Sequence, residues 1–314
     1  MKHFLKETDF SEDEIRGIFS HATELKQRRT ETQCEALRGQ TWGLLFYKNS
    51  TRTRVSFEVG INELGGRALM LDQGGMQIGR GESIHDTAKV LSRYLHGLVI
   101  RTFGQEILEE FAEHAGIPVV NALTDLLHPC QIYADCLTIT EKLGDPREPF
   151  ASLAGKKLAF LGDTACNMAN SWILAGALFG MKIFLGGPES FSPGQAIRDL
   201  LGVEGFPSDF LFTTDPTEAV TDADVVYTDV WVSMGCEEEE EARIETMKPY
   251  AATAEVLAQA KPEALFMHCM PTHPGLEVAQ EVLDSPQAII FDQAENRLHM
   301  QKAILAKLAD TSTS

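Results

Sequence analysis

Basic residues are scarce: 27 Lys and Arg stand against 46 Asp and Glu, a formal charge of −19 at pH 7 over 314 residues. Nucleic-acid phosphates require a basic face, so this balance argues against such a partner. The six cysteines (Cys34, Cys130, Cys136, Cys166, Cys236 and Cys269) include no C-x-x-C pair and no paired spacing. They read as reduced thiols, not as a disulfide framework. A lone His268-Cys269 pair without further spaced ligands is a weak metal signal, and no metal is expected. No apolar run approaches the roughly 20 residues that cross a bilayer, and Met1–Lys6 lacks the basic-then-apolar pattern of a secretory leader. Repeats are missing too. The one biased stretch, Glu237–Glu241, reads as solvated surface. These absences point to a soluble, cytoplasmic protein.

The length exceeds one typical core, so two domains are expected. Ser11 and Glu14 form a capping-box pattern for a first helix reaching about Lys26. Periodicity then predicts strand Thr41–Lys48, helix Thr51–Leu64, strand Arg67–Leu71, helix Ile84–Leu95, strand Leu98–Thr102, helix Glu106–Ala115, strand Pro118–Ala122 and a helix from Pro129 to about Lys142. Gly144–Pro149 is the best linker candidate. Beyond it the pattern predicts strand Lys157–Leu161, helix Asn167–Phe179, strand Lys182–Leu185 and helix Pro193–Leu201. Strands Val225–Thr228, Ala264–His268 and Ile289–Phe291 follow, then a last helix Arg297–Leu308. Strands alternating with helices mean parallel sheets with crossover helices. The expected class is α/β, with two doubly wound parallel-sheet domains linked by helices.

The densest chemistry lies in Ser50-Thr51-Arg52-Thr53-Arg54, between an apolar strand and a helix. Ser50 suits an N-cap, the first helical turn offers free N–H groups, and arginine forks match phosphate oxygens. The bland reading is an ordinary cap with two solvated arginines. Ligands of doubly wound sheets bind at the carboxyl ends of strands. Five further polar groups fall there: Arg101, His128–Gln131, Gly162–Asn167, Asp229–Met234 and His268–Pro271. Taken singly, each could be a cap or turn residue; six clusters at one kind of position argue for a site.

Ser50-Thr51-Arg52-Thr53-Arg54, His128-Pro129-Cys130-Gln131, Asp229-Val230-Trp231-Val232-Ser233-Met234-Gly235 and His268-Cys269-Met270-Pro271 together resemble the signature set of the aspartate/ornithine carbamoyltransferases. The last two point to the ornithine branch. The resemblance runs through to Asp292–Arg297. It implies that Ser50, Thr51, Arg52 and Thr53 hold the phosphate of carbamoyl phosphate. Arg101, His128 and Gln131 would bind its carbonyl and amide end, with Arg297, Cys269 and Met270 completing that site. Asn167, Asp229, Ser233 and Met234 would bind L-ornithine. Gln77 would reach the phosphate of a neighbouring subunit, within a homotrimer or a multiple of trimers. The implied partition is 1–145 plus 295–314 for carbamoyl phosphate and 146–294 for the amino acid. Two departures stand out: Cys166 replaces the first Asn of the usual Asn pair, and Met270 replaces Leu.

The residue types suit this chemistry. Carbamoyl phosphate carries its own leaving group, so an enzyme must orient an amine, stabilise an oxyanion and balance phosphate charge. Arg101, His128 and the Thr53 hydroxyl are plausible oxyanion donors, and Cys269 joins Arg101 and His128 among the catalytic candidates. No cofactor is expected. The competing readings are a carbamoyltransferase for another amine, putrescine or an acylated ornithine, and a non-catalytic carbamoyl-phosphate-binding relative.

Overall fold

The computed structural model describes residues 1–29, 31, 34–48, 50–72, 81–232 and 240–312. Helix α1 (Glu12–Gln27) precedes β1 (Thr41–Phe46), α2 (Thr51–Glu63), β2 (Arg67–Asp72), α3 (Ile84–Tyr94), β3 (Gly97–Arg101), α4 (Gln105–His114), β4 (Val119–Leu123), α5 (Pro129–Leu143) and α6 (Pro149–Leu153). Next come β5 (Lys157–Leu161), α7 (Asn167–Phe179), β6 (Lys182–Gly186), α8 (Gln195–Val203), β7 (Phe210–Thr213), α9 (Pro216–Val220) and β8 (Val225–Thr228). The chain ends with α10 (Glu240–Met247), α11 (Ala254–Leu257), β9 (Leu265–His268), α12 (Gln280–Leu283) and α13 (Ile290–Ser312). Two compact units result. One comprises Met1–Glu141, Asp145–Pro149 and Glu295–Ser314; the other comprises Lys142–Gly144 and Phe150–Ala294.

In the first unit the strand order is β2-β1-β3-β4, every pairing parallel. The chain runs from β1 outward to β2 and returns to the other side of β1, so the order reverses between β1 and β3. In the second unit the order is β7-β6-β5-β8-β9, again parallel, and reverses between β5 and β8. A parallel sheet puts all its carboxyl ends along one edge, and the reversal opens a crevice there.

Apolar strands buried on both faces explain the cores. In the first unit Leu45, Leu98 and Ile100 of the sheet pack with Leu108 and Phe111 of α4. In the second, Leu161, Val226 and Phe266 pack with Val220, Val282 and Ile290. Gly97 is required by a close approach, since a Cβ there would lie 2.4 Å from the buried Trp42 ring. Ser11 and Glu14 make both halves of the capping box on α1.

Two expectations need correction, and one strand was missed. Residues 289–291 form no strand: Ala288 bridges to Phe266, Ile289 donates one backbone bond to Phe266, and α13 begins at Ile290. A three-residue apolar run fits a strand or a buried helix start equally well, and here one bridge uses up the strand character. The last helix is accordingly longer than Arg297–Leu308. Strand β7 went unanticipated because it is a short, half-exposed edge without clean alternation. Among the described residues no helix is long and apolar enough to cross a membrane.

Candidate active site

At the carboxyl edge of the first sheet, Ser50 is extended (φ −159°) and caps α2 by accepting the Thr53 N–H at 3.3 Å. Thr51 and Arg52 stay exposed and Thr53 is buried. Arg297 of α13, itself buried, donates from Nη2 to Thr53 Oγ1 at 2.8 Å. The opening turn of α2 therefore joins the positive end of the helix dipole to two guanidinium-bearing residues, an arrangement suited to an anion.

Arg101 ends β3. The register slips there, with Ile100 opposite Asn121 but Arg101 opposite Leu123. An extra residue on one strand re-aims its neighbours. After β4, Thr124 closes a turn by bonding with Leu127, and His128 caps α5 through its carbonyl, which accepts from Gln131 and Ile132. The His128 ring is buried (4 % exposed). Burial first, then the charges of Arg297 and Arg101, hold its pKa well below the usual imidazole value. The ring is thus neutral at neutral pH and can offer an N–H to a carbonyl without adding a third positive charge. One turn on, Gln131 is buried. Its Nε2 donates to Asp135 Oδ1 at 2.8 Å, and its Oε1 has no hydrogen-bond partner among the described residues.

In the second unit, Gly162 makes the turn after β5 with φ +107°, a conformation L-residues avoid, and a Cβ there would lie 3.0 Å from Trp231 Nε1. Asp163 Oδ1 accepts the Ala165 N–H at 3.0 Å, and Arg243 Nη2 pairs with Asp163 Oδ2 at 2.5 Å. Burial raises the Asp163 pKa, with Arg243 opposing. Arg243 Nε also donates to the Trp231 carbonyl at 3.1 Å. Cys166 is the N-cap of α7 and Asn167 its first residue. Burial, then Asp163 and Asp229, push the Cys166 thiol well up, so it stays protonated.

Asp229 follows β8. Its Oδ1 accepts the Val230 N–H at 2.8 Å and the Cys269 thiol at 3.0 Å. His268, buried at the end of β9, supports the next turn: its Nδ1 accepts the Met270 N–H at 2.8 Å, and Met270 has φ +61°. A non-glycine residue in that region costs about 1–2 kcal/mol, which the bond to His268 helps offset. The His268 N–H donates to Gln293 Oε1 at 2.9 Å, and Gln293 Nε2 donates to Tyr227 at 3.0 Å. Because Nδ1 is an acceptor, the ring N–H lies on Nε2, 3.4 Å from the buried Glu277 carboxylate.

Ligand atoms of Asp229, His268 and Cys269 lie within 4.8 Å of one another. With His268 Nδ1 engaged by the Met270 backbone and Nε2 facing Glu277, that trio is not a ready tetrahedral set.

The first unit brings Thr53, Arg297, His128 and Arg101 together beside Ser50, Thr51, Arg52 and Gln131. The second joins Asp229 to Cys269, with Met270 in the adjoining turn, and places Cys166 and Asn167 at the start of α7. Gln77, Ser233 and Met234 lie outside the described residues. Sequence reasoning missed Asp135, Arg243, Gln293 and Glu277 as supports. Asp135 had a signal, four residues after Gln131 and hence on the same helix face; Glu277 had none.

The family model for the aspartate/ornithine carbamoyltransferase carbamoyl-P binding domain matches residues 2–141, and that for the Asp/Orn binding domain matches 154–308. An ornithine carbamoyltransferase of Methanoculleus marisnigri is 49% identical over 98% of this chain and 96% of its own length. That of Syntrophus aciditrophicus is 48% identical over 97% and 98%. The solved structure of ornithine carbamoyltransferase from Pyrococcus furiosus superposes with a TM-score of 0.89 at 40% identity, covering 98% of this chain and 97% of that one. With both domain models matched in order and relatives alike over nearly the whole length, the chain belongs to the aspartate/ornithine carbamoyltransferase family.

Proposed function

We propose that this enzyme transfers the carbamoyl group of carbamoyl phosphate to the side-chain amine of L-ornithine, giving L-citrulline and phosphate. The observation that carries the choice of amine is the Cys269 thiol on Asp229 Oδ1 at 3.0 Å. It joins the two motifs whose resemblance points to the ornithine branch.

Ser50, Thr51, Arg52 and Thr53 hold the phosphate, and Arg52 with the α2 N-terminus balances its charge as it leaves. Arg101 and neutral His128 donate to the carbamoyl oxygen, on which negative charge builds as the amine adds. Gln131 accepts from the carbamoyl NH2, and Arg297 steadies Thr53. Asn167 binds the α-carboxylate of ornithine and Asp229 its α-ammonium, with Ser233 and Met234 beside them. Because Arg243 neutralises Asp163, Asp229 is the carboxylate left to recognise a cation. The distal amine, with a pKa near 10, attacks after losing a proton. Cys269 and the Met270 turn orient the reacting end. The carbamoyl-phosphate residues fall on the first unit and the amino-acid residues, with Cys269 and Met270, on the second. By its resemblance to the family, Gln77 would reach a neighbouring subunit's phosphate within a homotrimer or a multiple of trimers. The reduced-thiol pattern favours a cytoplasmic enzyme, and citrulline as the product fits arginine metabolism.

The test is citrulline formation by the purified protein, with ornithine, putrescine and acetylornithine compared by kcat/KM. Ornithine should lead by orders of magnitude, because putrescine leaves the carboxylate donors unsatisfied. The lead over putrescine should collapse in Asn167→Ala. A wild type that prefers putrescine, or a mutant keeping the full ratio, overturns the substrate assignment.

A further inference from the structure

Gln131 sits in the first turn of α5 with its whole side chain buried (1 % exposed). A primary amide has two chemically opposite ends of nearly equal shape: Nε2 donates two hydrogen bonds and Oε1 accepts. A glutamine that reads a ligand must therefore be held one way round. Here Nε2 donates to Asp135 Oδ1 at 2.8 Å, one helical turn away, and Oε1 points elsewhere without a hydrogen-bond partner among the described residues. Asp135 is itself fully buried. A carboxylate offers only acceptors, so it cannot pair with Oε1 and admits a single orientation of the amide.

We infer that Asp135 is a positioning residue that locks the Gln131 carbonyl toward the NH2 of the carbamoyl group, and through it sets the preference for a carbamoyl over an acetyl phosphate. The inference rests on the reading above that Gln131 faces the carbamoyl amide. Acetyl phosphate has the same outline with a methyl in place of NH2. A locked acceptor pairs with the NH2 but is left buried and unpaired against a methyl, which penalises the wrong ligand. If the amide were free to turn, its NH2 would oppose the carbamoyl NH2 part of the time, and discrimination would fall.

Asp135→Asn keeps the shape but supplies both a donor and an acceptor, so Gln131 can sit either way round. The KM for carbamoyl phosphate and the inhibition constants of acetyl phosphate and inorganic phosphate are measured for wild type, Asp135→Asn, Gln131→Leu and the double variant. The ratio of the acetyl phosphate constant to the carbamoyl phosphate KM should fall about fivefold in Asp135→Asn, at least twofold of it from amide disorder and the rest from losing the charge-assisted bond. The inorganic phosphate constant should stay put, since that anion does not reach Gln131. In the Gln131→Leu background Asp135→Asn should leave the ratio unchanged.

A parallel rise in all three constants, an unchanged ratio, or an equal fall in the Gln131→Leu background overturns the positioning role. Gln131→Leu leaving both the KM and the ratio intact overturns instead the placement of Gln131 at the carbamoyl group. Asp135→Ser, whose hydroxyl both donates and accepts, reads out the same ratio should the Asn variant not fold.

Discussion

Replacing Asp229 with Asn removes one charge while leaving the local bonds possible. The amide oxygen can still accept from the Val230 N–H and the Cys269 thiol, which now lie 2.8 and 3.0 Å from Oδ1. Asp163 cannot take over, because Arg243 already occupies it. What disappears is attraction for the α-ammonium of ornithine. Two unit charges about 4 Å apart interact by about 4 kcal/mol at an effective dielectric of about 20. Stripping water from the ammonium takes back part of this, leaving about 2–3 kcal/mol. Since 1.4 kcal/mol is tenfold, kcat/KM for ornithine should fall about 30- to 150-fold. The assay is citrulline production with ornithine varied at saturating carbamoyl phosphate, then the reverse. The KM for carbamoyl phosphate should change less than threefold. Equal damage to both substrates, or almost none to ornithine, would refute the assignment of Asp229 to the amino acid.

Arg52→Ala removes a charge-assisted phosphate contact worth about 2–3 kcal/mol; the KM for carbamoyl phosphate should rise about 30- to 150-fold, with the melting temperature unchanged because Arg52 is exposed. Acidification should weaken the fold. Burial, then Lys302, hold His299 at about 4, and His128 is also well below its usual value. Both rings are buried neutral, so between these folded values and about 6.5 the unfolded chain binds more protons and stability falls with pH. His299 alone accounts for up to about 3 kcal/mol between pH 6.5 and 4. Urea unfolding that gave the same free energy at pH 7 and pH 5 would contradict this. Gly97→Ala drives a methyl into the Trp42 ring and should destabilise by about 1–3 kcal/mol, lowering the melting temperature by about 2–4 °C for each; calorimetry decides.

Much of the candidate site was legible because its residues come in short, contiguous motifs at element boundaries. Residues 50–54 combine a cap, hydroxyls and arginines within one turn, and local chemistry alone marks them as a candidate anion site. Asn167 at the start of α7, Asp229 after β8 and Cys269 after β9 all stand where strand periodicity put them. The supports were illegible for the opposite reason. Arg243 reaches Asp163 across 80 positions, Gln293 reaches His268 across 25, and nothing in Glu277 itself announces His268. The strand expected at 289–291 failed because three apolar residues hold too little periodicity to separate a strand from a helix start.

Sequence by itself determined the α/β class, the parallel sheets and which polar residues stand at the strand ends, since apolar period, caps and residue type act over a few neighbouring positions. Tertiary structure alone decided the strand order, with reversals between β1 and β3 and between β5 and β8 that set Arg101 beside the residues after β1 and Asp229 beside those after β5. It also decided the burial that keeps His128 neutral and the pairings that fix Gln131, Asp163 and Met270. Order and burial depend on which elements meet across long stretches of chain, and those contacts form only when the whole sheet is assembled.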